Sequence, residues 1–238
     1  MAKKDFDDFV ERIVLELPKV VSSVKLPVFR VEKQKDAKND EEVFVLLLSD
    51  LQIGHLTKTF NVSVFRKRMK ALISGVLRVT DIHRKSHPVK KLVIFMLGDN
   101  IQSERAGFLV DLDELEIVLK KQVFGVAIPA ITGMITEFAK HFNKVEIHTV
   151  RGNHGSCGKF ASKSTNWDDV IYEFLKLKFA GNRNVRVSIS NHFYKFVDVL
   201  GHRFLLTHGD KIKMYMNIPI AISYVGLKGS YMLETQCI

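Results

Sequence analysis

Three apolar runs of strand length each end at a polar residue, and this repeated pattern limits the folds open to the chain more than any other feature. Val43 to Ser49 leads into Asp50-Leu51-Gln52, and Lys91 to Leu97 leads into Gly98-Asp99-Asn100. Val145 to Val150 leads into Arg151-Gly152-Asn153-His154-Gly155. Continuous apolar runs of this kind suit strands buried on both faces. Helical patterns separate them. Val62 to about His83 carries Val64, Leu72, Ile73, Val76 and Leu77 on one face, with Asn61 as its cap. A longer stretch runs from Asp111 or Asp113 to about Phe142, and a break is expected near Pro129, where an internal hydrogen bond is lost. Thr165 or Asn166 caps a third helix, Trp167 to Phe179, which turns Trp167, Val170, Ile171, Phe174 and Leu175 inward. Strands follow over Asn184 to Val199 and His202 to Thr207, joined at Leu200-Gly201, and the last ends at His208-Gly209-Asp210. The alternation predicts an α/β domain spanning residues 43–238. Residues 1–42 read as an appendage: a helix from Asp5 to Leu17 stopped by Pro18, a short strand from Pro27 to Val31, and a charged linker from Glu32.

The polar residues gather at one kind of position. Asp50, Asp99, Asn153-His154 and His208 each fall just past the carboxyl end of an expected strand. In an α/β sheet those ends open on one side, and ligands bind in the crevice there. Each residue alone reads as an ordinary turn or cap residue, but the same placement four times over points to a shared site. Carboxylates brought together in a protein interior cost several kcal/mol unless a cation neutralises them. A mixed oxygen and nitrogen donor set suits Mn²⁺, Mg²⁺, Fe²⁺ or Zn²⁺.

These stretches, Asp50-Leu51-Gln52, Gly98-Asp99, Gly152-Asn153-His154 and His208-Gly209, resemble the ordered motifs of the calcineurin-like metallophosphoesterases. The nearest flavour is that of phage and prokaryotic members close to the DNA-repair exonucleases. The resemblance covers roughly Val43 to Asp210. It implies a two-sheet β-sandwich flanked by helices, an αββα arrangement. It also implies two divalent metal ions, Mn²⁺ foremost, with Asp99 bridging them. Asp50 and Gln52 would face the first ion, and Asn153 and His208 the second. Such a pair activates a water for in-line attack on phosphorus. His154 would then protonate the leaving oxygen or stabilise its charge. Arg151 is either a phosphate-neutralising, substrate-binding residue or half of a structural salt bridge.

Two departures from the family pattern stand out. Position 52 is Gln where the family has His, and a neutral amide oxygen is a weaker donor to Zn²⁺ or Fe²⁺ than imidazole. His55 lies close enough to be weighed as a substitute. The family's Gly-His-x-His is also missing, since no His follows His208, and Gly201-His202 reads as part of a hairpin. The expectation is therefore a domain that is C-terminally incomplete, with a naturally degenerate member as the rival.

The net charge of +10, from 36 Lys+Arg against 26 Asp+Glu, favours a polyanionic partner. Function is expected to be a metal-dependent phosphodiesterase, nuclease-like and acting on nucleic acid. A catalytically impaired nucleic-acid-binding or scaffold protein, or a phosphomonoesterase, are the alternatives. The basic face of the first helix, with Arg66, Lys67, Arg68 and Lys70, reads as solvated surface ahead of a phosphate-contacting stripe. Cys157 reads as an incidental loop thiol, and two cysteines without framework spacing suit a reducing, cytoplasmic compartment. No signal peptide is read at the N-terminus, no run approaches the ~18 apolar residues of a membrane span, and no membrane partner is expected.

Overall fold

The computed structural model describes residues 41–104, 114–157, 165–210 and 212, together with the backbone of 214–215 and 218–219. The expected N-terminal helix, strand and linker, the start of the long helix at 111 or 113, and most of the tail lie outside the described residues. In chain order the elements are β1 (Glu42–Leu48), α1 (Val62–His83), β2 (Val89–Met96) and α2 (Lys121–His141). Then come β3 (Lys144–Thr149), α3 (Trp167–Phe179), β4 (Val185–Ile189), β5 (Tyr194–Val199) and β6 (His202–Thr207). A short pair, β7 (Met214–Tyr215) and β8 (Ile218–Pro219), follows.

The fold is mixed α/β. β1 to β4 form a parallel sheet in the order β1-β2-β3-β4, and β5 pairs antiparallel with β6. The first three crossovers each contain one helix, as parallel neighbours require. The register aligns Leu48 with Met96, Met96 with Thr149, and Thr149 with Ile189, so the four strands finish at one level.

Strand alternation divides the core in two. Leu46, Leu48, Leu92, Ile94, Met96, Val145 and Ile147 face the helices and pack with Phe65, Met69, Ile131, Ile135, Phe138, Ile171 and Leu175. Val93 and Phe95 point the other way and meet Val197, Val199 and Leu206 of the hairpin. The molecule therefore has three layers: helices, parallel sheet and hairpin. Phe95 touches the Phe204 ring at 5.3 Å and His148 edge-on at 6.1 Å. Burial, and then the charge of Lys195, lower the His148 pKa to about 4, so this interior imidazole is neutral at pH 7.

Local chemistry explains the helix limits. Asn61 caps α1 by accepting from the Val64 N–H, and Asn166 caps α3 by accepting from the Asp168 N–H. The expected break at Pro129 does not occur. Lys121–Ala127 is wound as a wide π-helix, and the Ile128 N–H reaches Val123 O. Pro129 then falls in the first turn of the α-helical part, where a missing donor costs least. The helix starts later than expected, since residues 114–118 are not helical.

Two further expectations need correction. β1 is not buried on both faces: it is the edge of the parallel sheet, and Leu47 is 64% exposed because no strand lies beyond it among the described residues. The helix Lys121–His141 also has the length and apolarity of a membrane span, with a mean hydropathy of 1.3. Its Ile131, Met134, Ile135 and Phe138 are fully buried against the sheet and neighbouring helices, as in a core helix.

Candidate metal centre

The loops that follow β1 and β2 stay zipped together beyond the strands. Asp50 N–H donates to Gly98 O at 3.1 Å, Gln52 N–H to Asp99 O at 3.0 Å, and Ile53 N–H to Asn100 O at 3.1 Å. Holding this pairing while turning side chains toward the strand ends requires left-handed backbone. Asp50 has φ 53°, Gln52 φ 41° and Asp99 φ 53°. Non-glycine residues rarely adopt this region, and such strain concentrates at functional sites. Gly98, at φ 93°, lies so close to the β3 loop that an added Cβ would fall 2.2 Å from Gly152 N.

A buried carboxylate locks the β2 and β3 loops to α3. Asp168, in the first turn of α3, accepts from Asp99 N–H at 3.0 Å, Asn100 N–H at 3.1 Å and Gly152 N–H at 2.9 Å. Asn100 Nδ2 adds a fourth bond at 2.7 Å. The same amide donates to Tyr172 Oη, which in turn donates to Val150 O. Asn166 Nδ2 donates to Gly152 O at 2.9 Å, so the cap of α3 also grips the Gly-Asn-His loop. Burial pushes the Asp168 carboxyl up, against the pull of the donors around it.

On this base Asp50, Asp99 and His208 bring one ligand atom each within 4.8 Å of one another. His208 Nε2 lies 3.0 Å from Asp99 Oδ2 and 3.0 Å from Asn153 Oδ1. Its Nδ1 is 2.8 Å from Leu97 O, and a carbonyl can only accept, so Nδ1 carries a proton. That bond fixes the ring and leaves Nε2 as the atom available to a cation. His154 is held similarly: its backbone N–H donates to Asp99 Oδ1 at 2.8 Å, and Nδ1 donates to Gln102 O at 3.2 Å. Its Nε2 lies 3.8 Å from Asp99 Oδ2.

The electrostatics match an ion site holding a proton in place of a metal. The hydrogen bond to Asp99 raises the His208 pKa to about 9; burial opposes this, and the charge of Asp99 reinforces it. Burial alone would push Asp99 up, but hydrogen bonds from His208 and the His154 N–H, with the charge of both rings, hold it below its ordinary value. The folded His208 pKa lies above the unfolded value of ~6.5. The stabilisation it supplies is therefore complete below pH ~6.5 and fades as pH rises through about 9. In the metal-free protein the His208 ring resonances should titrate near pH 9 by NMR. In Asp99→Asn the midpoint should move down towards ~6.5; a wild-type midpoint already there would rule out the ion pair.

Asp50, Asp99, Asn153, His154 and His208 are thus brought together, and Gln52 is joined to them through its backbone bond to Asp99. Arg151 Nη1 pairs with Asp169 at 3.1 Å and Nη2 donates to Asn191 O at 2.8 Å, so the salt bridge is the geometry present. His55 pairs instead with Glu114 at 3.7 Å. His202 opens β6 opposite Val199, across a turn in which Leu200 and Gly201 both have positive φ. Cys157 is half-buried against the main core. Asp168, Asn166 and Asn100 were not legible as site residues. An Asp in a first helical turn usually serves the helix dipole, and only its position just after the Gly-Asn-His loop hinted at more. No protein-family model matches this chain, and no curated protein matches it in sequence.

Proposed function

We propose that this chain is a metal-dependent phosphoester hydrolase of the calcineurin-like metallophosphoesterase type, acting on phosphodiesters and foremost on nucleic acid. The observation that carries the reading is the convergence of Asp50, Asp99 and His208 within 4.8 Å from three separate strand ends. The parallel sheet and the β5–β6 hairpin on its far face are compatible with an αββα sandwich, in which the hairpin belongs to the second sheet.

The donor set fits a divalent cation. Two carboxylates, the His208 Nε2 that the Leu97 bond leaves available, and the Asn153 amide oxygen offer hard and borderline ligands. A second ion beside Gln52 rests on the family resemblance. When bound, such a cation polarises a phosphoryl oxygen and acidifies water, with Mn²⁺ the first choice. The chain's own part is to position and to move a proton. Asp168 fixes the Asp99 and Gly152 loops, so the ligands need little reorganisation on binding. His154, its Nδ1–H anchored on Gln102 O, offers Nε2 to the leaving oxygen. The basic chain, at +10, favours an anionic substrate.

The test is hydrolysis of bis-p-nitrophenyl phosphate and of labelled single- and double-stranded DNA with Mn²⁺, Mg²⁺ or chelator, beside the monoester p-nitrophenyl phosphate. Metal-stimulated diester cleavage is expected. Asp99→Ala should remove it by more than the roughly 10- to 100-fold typical of outer-shell changes. Salt-sensitive DNA binding with no hydrolysis under any metal would put the non-catalytic scaffold in its place, and faster monoester turnover would put the phosphomonoesterase there.

A further inference from the structure

The β4–β5 connection and the start of β5 carry a run of aromatic rings that the core does not use. Phe193 is 48% exposed, Tyr194 41% and Phe196 47%. They form one surface, since Phe193 meets Tyr194 at 5.1 Å, Tyr194 meets Phe196 at 6.0 Å, and His192 stacks on Tyr194 at 6.0 Å and 27°. Single exposed apolar residues are unremarkable, but joined rings left in water mark a binding surface.

Two independent contacts tie this surface to the candidate centre. Tyr194 pairs with Thr207, the residue immediately before His208. Neighbouring strands lie about 4.8 Å apart, so the ring cluster begins one strand spacing from the ligand-bearing chain. Arg151, which opens the Gly-Asn-His loop, donates to Asn191 O at 2.8 Å and so holds the connection at the rim. The strand pattern sets the direction. Val197 and Val199 face the sheet, so Tyr194 and Phe196 occupy the hairpin's outer face. The His208 ring, by contrast, is turned to Leu97 O.

We propose that His192, Phe193, Tyr194 and Phe196 form a stacking platform for an unpaired nucleobase, one nucleotide away from the phosphodiester held at the centre. The proposal rests on the phosphodiesterase reading and names its substrate more closely as a single-stranded nucleic acid. A base in a duplex is stacked and paired, whereas a base in a single strand can swing over the hairpin end and stack on a ring. The phosphates supply the charge that a chain of +10 complements, and the rings supply sequence-tolerant contact.

The experiment is fluorescence anisotropy without added metal, comparing labelled oligothymidylate with an abasic deoxyribose-phosphate strand of equal length. Wild-type protein should bind the base-bearing strand about tenfold more tightly, the order found for one stacked base. In the double variant Phe193→Leu/Tyr194→Leu, which keeps apolar bulk but removes two rings, that preference should vanish while abasic binding stays the same. Equal wild-type binding of both strands would overturn the proposal. So would a preference that survives in the variant, or a variant whose only change is in oligomeric state by sedimentation. Hydrolysis is read separately: a base preference without any metal-dependent cleavage counts against the phosphodiesterase reading, and cleavage without base preference counts against the platform.

Discussion

Asp168→Ala should lower the unfolding free energy by about 3–5 kcal/mol, the cost typical of removing one partner from a buried charged network. The carboxylate is fully buried and accepts from Asp99 N–H, Asn100 N–H, Asn100 Nδ2 and Gly152 N–H. Each buried donor left without a partner costs roughly 1–3 kcal/mol, and water entering the space recovers part of the total. Asp168→Asn keeps the shape and one acceptor but turns an amide NH₂ towards N–H donors, so about half the loss is expected. Urea denaturation followed by fluorescence of Trp167, the neighbouring residue and the chain's only tryptophan, measures both. A change within ~1 kcal/mol for Asp168→Ala would mean that the loops hold each other without it.

The second large effect is expected at Gly152. A Cβ there would lie 2.0 Å from Asp99 Oδ1 and 2.5 Å from Asp99 N. Neither neighbour can yield: the carboxylate oxygen is the one that accepts from the His154 N–H, and the backbone N–H is bound to Asp168. Gly152→Ala should therefore move Asp99 out of reach of His208, weaken Mn²⁺ binding at least about tenfold, and cost ~1–3 kcal/mol through overpacking. Gly133, inside α2 with nothing within 4 Å of an added Cβ, is the control. There an alanine should stabilise by roughly 0.5–1 kcal/mol and leave metal binding alone. If Gly152→Ala binds Mn²⁺ as the unaltered chain does, the clash is relieved without cost to the site.

The sequence carried much of this arrangement because strand-length apolar runs, capping asparagines and glycine turns report local chemistry. β1, β2 and β3 begin and end within about two residues of where hydrophobic patterning puts them. Asn61 and Asn166 cap the helices that their positions suggested. The grouping of Asp50, Asp99, Asn153 and His208 was legible because a parallel sheet aligns its strand ends. What stayed hidden depends on partners far along the chain. Asp168 lies 69 residues from Asp99, and nothing in its own neighbourhood says that it is buried. The exposure of Leu47 follows from the edge position of β1, which apolar content alone cannot reveal. Pro129 fits within α2 because the turn before it widens, and a propensity scale has no entry for that compensation. The side-chain destination of Arg151 likewise required Asp169 and Asn191 to be placed.

The most direct test is calorimetric titration of the unaltered chain with Mn²⁺, repeated with Asp99→Ala and His208→Ala. If the strand-end residues share a cation, the unaltered chain gives saturable heat from at least one ion. Protons should be released as His208 Nε2 exchanges its proton for the metal, and both variants should lose the heat. No saturable heat with Mn²⁺, Mg²⁺ or Zn²⁺, or binding that persists unchanged in Asp99→Ala, would contradict a metal centre at these strand ends.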